Sequence, residues 1–202
     1  MKSGKKSEKK SKKTLKKKKL SSNITTIILI LIFLVGLSVM LYPTVSNYIN
    51  QRHQSKAIAA YDEKVSEMKP EDYTKYFEAA QKYNEELAAH PSAFYNPDEI
   101  KDYEKILDIT GTGIMGYITI KKLGVELPIY HGTDEGILQI AAGHLKGTSF
   151  PISGESTHSV ISAHRGLPSA KLFTDLDKME IGDTFSITVL NQCHLVKLIG
   201  SL

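Results

Sequence analysis

Tryptophan is absent from these 202 residues, cysteine occurs once, and arginine occurs only at Arg52 and Arg165. The single Cys193 excludes an internal disulfide framework, so a domain outside the cytoplasm would have to rest on its core alone. Acidic residues are missing from the N-terminal stretch except for Glu8, while eleven lysines fall between Lys2 and Lys19. Without aromatics this segment cannot bury a core, and its composition predicts a disordered basic tail over residues 1–23. The formal net charge of +4 therefore hides a basic start and a net acidic remainder. A basic tail can bind nucleic acid, but the apolar run directly behind this one gives it a different task.

From Ile24 to Leu41 the chain has no charged residue, and Tyr42 and Pro43 close the run. That length is close to the roughly 20 residues of a bilayer-spanning helix. Lysines on one flank only predict a single-pass anchor over residues 24–43 with a cytoplasmic N-terminus and the rest outside, the lysines also being held by anionic lipid. The basic tail then reads as a topology signal, with the bilayer and not nucleic acid as its partner. A cleaved signal peptide has the same charge order, but its apolar core is usually about 7–15 residues and ends in a small-x-small site. This core is longer and runs into Tyr42-Pro43-Thr44-Val45, which favours an uncleaved anchor.

Residues 44–110 read as juxtamembrane helices and a loop. Two helices are predicted, Ser46 to Lys69 and Glu71 to Ala89, with Pro70 and Pro91 as boundaries. In the second, Tyr73, Tyr76, Phe77, Ala80, Tyr83 and Leu87 recur at three- and four-residue steps and form one apolar stripe. An amphipathic hairpin that packs on its own domain satisfies that pattern. Between His90 and Thr110 the text is loop-like, with a short helical run expected over Glu99 to Leu107 on the surface.

From Gly111 to Leu202 the pattern turns to short strands punctuated by glycine and proline. Strands are expected over Ile114 to Ile120, Val125 to Tyr130 and Thr184 to Val189, with a turn at Lys121-Lys122-Leu123-Gly124. Helical pieces are expected near Glu135 to Ala142 and over Ser169 to Met179, the latter with Leu172, Phe173 and Leu176 on one side. Short, evenly spaced strands with almost no long helix favour a closed or nearly closed β-barrel.

Within this region Val160, Ile161, Ser162 and Ala163 read as a short buried strand. It delivers His164 to an Arg165-Gly166-Leu167-Pro168 turn. A titratable ring at the end of a rigid strand suits proton transfer. A lone histidine beside an apolar run is more often structural, so the surrounding residues have to decide.

Those residues resemble a family. Met115-Gly116-Tyr117-Ile118, Leu127-Pro128-Ile129-Tyr130-His131-Gly132-Thr133, Gly143-His144-Leu145 through Thr148-Ser149, Thr157-His158 through His164-Arg165-Gly166-Leu167-Pro168, and Lys171-Leu172-Phe173 through Asp175-Leu176 stand in the order and spacing of a class C, pilus-type sortase of Gram-positive bacteria. The likeness spans roughly residues 111–190. It implies a mainly β fold, a sortase β-barrel preceded by the anchor and the helical hairpin. It also implies a cysteine transpeptidase, without a cofactor, that cleaves the sorting signal of pilins or surface proteins and joins the acyl group to a lysine of the next subunit. Such chemistry needs a thiolate, a histidine to protonate the leaving amine, and an arginine for the developing oxyanion. His164 matches the family's general acid/base. His131, His144 and His158 match no catalytic position and read as structural or surface residues, with no close-spaced metal pattern.

The sequence also departs from the family. The Thr-Leu-x-Thr-Cys strand and the arginine beyond it are not present. Cys193, in Leu190-Asn191-Gln192-Cys193-His194, matches nothing in the nucleophile motif, and Arg165, adjacent to His164 on a strand, should point to the opposite face. The expectation is a truncated or frame-shifted sortase, a partial barrel without transpeptidase activity on its own. The alternative is a non-catalytic membrane-anchored module that binds pilin or an intact sortase, and a third reading is a spacer without chemistry. The family's lid motif, Asp-Pro-aromatic, finds its nearest match in Asn96-Pro97-Asp98, which lacks the acidic first and aromatic third residues.

Overall fold

The structure, a computed structural model, describes the backbone of residues 4–200 and the side chains from Ile24 onward except Pro91. The chain divides into two compact units, Met1–Pro43 and Thr44–Leu202. The expected properties of the lysine side chains at 2–19 lie outside the described residues.

One long helix, α1 (Gly4–Ser66), contains the apolar run, with Pro43 inside it. Residues 24–41 expose nearly all of their apolar side chains, Phe33 and Val35 at 66% among them. This is the one helix among the described residues that is long and apolar enough to cross a membrane. The described backbone is helical from Gly4, where composition alone predicts disorder. Lysine is a good helix former, and turns added to an existing helix avoid the cost of nucleation.

In the second unit, the rest of α1 turns a stripe toward the domain. Gln54, Ile58, Tyr61 and Val65, at steps of four, three and four, are buried. The Tyr61 hydroxyl donates to the Met115 carbonyl at 3.0 Å and accepts from the Leu190 amide at 2.8 Å. Helix α2 (Pro70–Ala89) starts on Pro70, whose missing N–H is harmless at a first helical position. Its predicted stripe faces the core, with Ala80 and Tyr83 fully enclosed. The Asn84 side chain pairs with both backbone groups of Phe150, donating to the carbonyl at 3.3 Å and accepting from the amide at 2.8 Å.

The expected helix over Glu99 to Leu107 does not form. Two single 3₁₀ turns, Pro97–Glu99 and Tyr103–Lys105, occupy the segment instead. Asp102 and Leu107 both take φ of 65°, which interrupts a right-handed helix. The segment is exposed at Glu99, Lys101, Asp102, Glu104 and Lys105, while Ile100, Tyr103 and Leu107 are buried and anchor it to the core.

Six strands form one sheet in the order β4-β3-β2-β1-β5-β6. They are β1 (Ile114–Ile120), β2 (Val125–His131), β3 (Ala142–His144), β4 (Ile161–Ser162), β5 (Thr184–Val189) and β6 (Gln192–Lys197). All neighbours are antiparallel except β2 and β3, which the crossover containing α3 (Glu135–Leu138) joins in parallel. Gly143 lets β3 approach closely, because a Cβ there would run into the Gly132 carbonyl. The helix expected over Ser169 to Met179 is replaced by turns and a 3₁₀ turn at Leu176–Lys178. Leu172 at φ 41° breaks any helix there while staying buried.

Around the end of β3 lies an aromatic cluster. Tyr83, Tyr103 and Phe150 pack with ring centroids 4.7–5.9 Å apart, and His144 stacks on Phe150 at 5.3 Å. His144 faces the Ser149 carbonyl with Nε2 at 2.8 Å and the Tyr103 hydroxyl with Nδ1 at 2.9 Å. Neutral imidazole with its proton on Nε2 satisfies both, and burial pushes the His144 pKa down to about 4. His131 bridges two carbonyls, those of Gly113 at 2.9 Å and Ile106 at 2.7 Å. His158 is exposed and engages Ser149 through its backbone.

Candidate active site

His164 stands just beyond the end of β4, which is only two residues long and half-buried, shorter and more open than the expected buried strand. The backbone holds it instead. The His164 carbonyl accepts from Phe173 at 3.1 Å, and the Gly166 amide donates to the Thr174 hydroxyl at 2.9 Å, which closes the next turn. Gly166 at φ 76° supplies the left-handed residue of that turn. Further along, Ser169 and Lys171 are tied to α1, the Asn50 amide donating to the Ser169 carbonyl and the Asn47 side-chain oxygen accepting from the Lys171 amide, both at 2.8 Å.

The imidazole of His164 is about one-third exposed, and its Nε2 lies 3.3 Å from both carboxylate oxygens of Glu135. Glu135 in turn accepts from the Gln139 amide at 3.0 Å. That hydrogen bond first, and His164 second, hold the Glu135 carboxyl below its ordinary range. With the Nε2 proton donated to Glu135, Nδ1 is the nitrogen left to exchange a proton, and no hydrogen bond occupies it among the described residues. Sequence reasoning alone misses Glu135. Only its place in the first turn of a predicted helical piece marks it, 29 residues before the histidine it meets.

Arg165 is not on a strand, so the argument from alternating faces does not apply. It is exposed and pairs with Asp177 at 3.4 Å. Cys193 is exposed on β6, in register with Thr188 and through it with Tyr117. That is the opposite face of the sheet from Ile187, because neighbouring strand residues alternate. Ile187 lines a concavity of about 220 Å³ together with Ile118, Ile120, Ile161, Phe173 and Phe185. Cys193 thus points away from this concavity, and it makes no hydrogen bond with His164 among the described residues. The Asn96-Pro97-Asp98 segment meets a third place: Asp98 pairs with Lys146 at 2.6 Å, and Pro97 packs beside Gly147. Among the described residues no group of three or more His, Cys, Asp or Glu side chains is placed to hold a metal.

This architecture, a curled antiparallel sheet with one parallel pair and a histidine at the mouth of a two-residue strand, has close counterparts. A family model for the sortase domain matches residues 118–194. Sortase C1 of Streptococcus agalactiae is 42% identical, with a TM-score of 0.63 over 70% of this chain and 74% of that one. The chain thus belongs to the sortase family. A sortase C of Streptococcus pneumoniae, described in connection with pilin substrate specificity, is 41% identical with a TM-score of 0.63 over 70% of this chain and 72% of the other. Another structure of the S. agalactiae enzyme superposes with a TM-score of 0.65 at 36% identity, covering 72% of this chain and 75% of that one. These solved neighbours are class C, pilin-type sortases. No curated protein sequence matches the chain significantly.

Proposed function

We propose that the chain carries the proton-transfer half of a class C sortase site acting on pilin or surface-protein sorting signals, anchored in the cell membrane with its N-terminus in the cytoplasm. The observation that carries this reading is His164 itself, which is partly exposed and held through Nε2 by Glu135 with Nδ1 left free. In this role it protonates the leaving amine as the acyl-enzyme forms and takes a proton from the incoming lysine amine. The nucleophile and the oxyanion arginine do not come from these residues, since Cys193 faces away from the cavity and Arg165 is engaged by Asp177. The 202 residues therefore have no turnover by themselves. Asn96-Pro97-Asp98 is the counterpart of the family's lid segment, and here Asp98 holds it to Lys146, away from His164.

The test has two arms. Incubated with a sorting-signal peptide, the chain gives neither cleavage nor a thioester adduct, and turnover that depends on Cys193 would overturn the assignment. Extended after Leu202 with the C-terminal segment of the S. agalactiae enzyme, it gains cleavage that His164→Ala abolishes. Cleavage that persists in His164→Ala would remove the role given to this histidine.

A further inference from the structure

Charge is distributed unevenly along the second unit. From Thr44 through Tyr61 there is no acidic residue, and the cations there are Arg52 and Lys56. Residues 62–202 contain 21 Asp and Glu against 13 Lys and Arg, a net of −8. A domain of that charge is repelled by an anionic bilayer surface. Residues 44–61 lie between the apolar run and the acidic body, and they carry the opposite sign.

The structure sorts the side chains of this segment by face. Asn47, Asn50, Gln54, Ile58 and Tyr61 turn toward the domain through their hydrogen bonds and burial. Tyr48, Arg52, Ser55 and Lys56, at helical spacing, line an open concavity on another face, and Tyr48 is 58% exposed. The apolar neighbours Val45 and Ile49 are also exposed, at 52% and 46%. The Arg52 guanidinium folds back over the Tyr48 ring, 5.6 Å from its centroid. This brings the cation toward the N-terminal end of the segment, as helical side chains naturally lean.

Distances along the helix suit a bilayer surface. At 1.5 Å per residue Tyr48 is about 6 Å, Arg52 about 12 Å and Lys56 about 18 Å beyond Thr44. The headgroup region on each side of the hydrocarbon is roughly 5–8 Å deep. An aromatic with an exposed hydroxyl belongs at that depth, and a long cationic side chain reaches back into it.

We propose that Tyr48 and Arg52, with Lys56 adding positive charge one turn further out on the same face, form a seat for the phosphate of an anionic phospholipid headgroup, which holds the acidic domain against the bilayer. The inference rests on the reading of residues 24–43 as an anchor. The occupant is a lipid, because the seat begins five residues beyond Pro43 and is opposite in charge to the anionic bilayer surface, whose sign the rest of the domain shares.

The absence of native tryptophan allows a single-reporter test on the full chain. Tyr48→Trp and, separately, Leu34→Trp are reconstituted in vesicles of phosphatidylcholine alone or mixed with phosphatidylglycerol. Headgroup and acyl-chain spin-labelled lipids serve as quenchers. The expected result is stronger quenching of the residue-48 reporter by the headgroup label when phosphatidylglycerol is present, and its return to the phosphatidylcholine level when Arg52→Gln and Lys56→Gln are added. Equal quenching in both lipids, or no response to loss of the two cations, would overturn the seat while acyl-chain quenching at residue 34 leaves the anchor standing. Shielding that grows with the protein-to-lipid ratio would identify a second copy as the occupant and also overturn the proposal. Absence of acyl-chain quenching at residue 34 would remove the anchor and the seat together.

Discussion

The histidines separate by environment. His144 is fully buried, neutral and doubly hydrogen-bonded, so its charged form is disfavoured in the fold. Because its pKa falls from 6.5 to about 4 on folding, its contribution is complete above about pH 6.5 and is lost as pH drops toward 4. In that window the unfolded chain binds the proton more readily. Full protonation costs on the order of 3 kcal/mol. Urea unfolding at a series of pH values should show a steeper loss of stability for the natural chain than for His144→Gln, whose curve is shifted down and flatter. Parallel curves would show that His144 is not the group responsible. Gly143 makes a companion case. Gly143→Ala should cost about 1–3 kcal/mol at neutral pH, because the added methyl meets the Gly132 carbonyl and neither strand backbone can yield without losing its pairing. A midpoint unchanged within error would contradict that packing.

Among the side chains by which helix α1 meets the sheet, Tyr61 has a hydroxyl with two partners. Tyr61→Phe leaves the Met115 carbonyl and the Leu190 amide, both in buried residues, without that oxygen, and should cost about 2–3 kcal/mol. Tyr73→Phe removes a hydroxyl bonded only to the Val65 carbonyl in a half-buried position and should cost about 1 kcal/mol or less. Equal losses in thermal or urea unfolding would show that the second partner contributes nothing. The elements differ in how plainly the sequence announces them. Strands β1, β2 and β5 have local turn signals and apolar spacing, and they lie where expected. Helix α2 is legible from its stripe and its two prolines. Ser169 to Met179 misleads because Leu172, Phe173 and Leu176 keep a helical spacing, while Phe173 and Leu176 line the cavity from turns. Strand β3, Ala-Gly-His, has no local signal, and its existence depends on Gly143 fitting against Gly132. At the site, His164 is legible from its motif, whereas Glu135 is not, because that contact is made by the α3 crossover and not by neighbouring sequence.

The sheet as a whole has two edges among the described residues, and they differ. Strand β4 offers only two residues, whereas β6 presents six with β5 as its single neighbour. Natural edges are blunted by charge, proline or brevity. On β6 that protection is limited to Lys197, while Leu195 is 75% exposed, and Ile199 and Ile181 nearby are 87% and 72% exposed. A long edge with apolar side chains can pair with another copy of itself. The full chain in detergent micelles should therefore sediment as larger species as protein concentration rises. Leu195→Lys adds an exposed edge charge without altering the inward-facing Val196 that pairs with Phe185, so it should restore the smaller species while leaving the unfolding midpoint unchanged. Sedimentation that is independent of concentration in the natural chain would show that this edge is silent. Association unaffected by Leu195→Lys would place the contact elsewhere, on the exposed apolar face of residues 24–41 or on the Tyr48 face of α1.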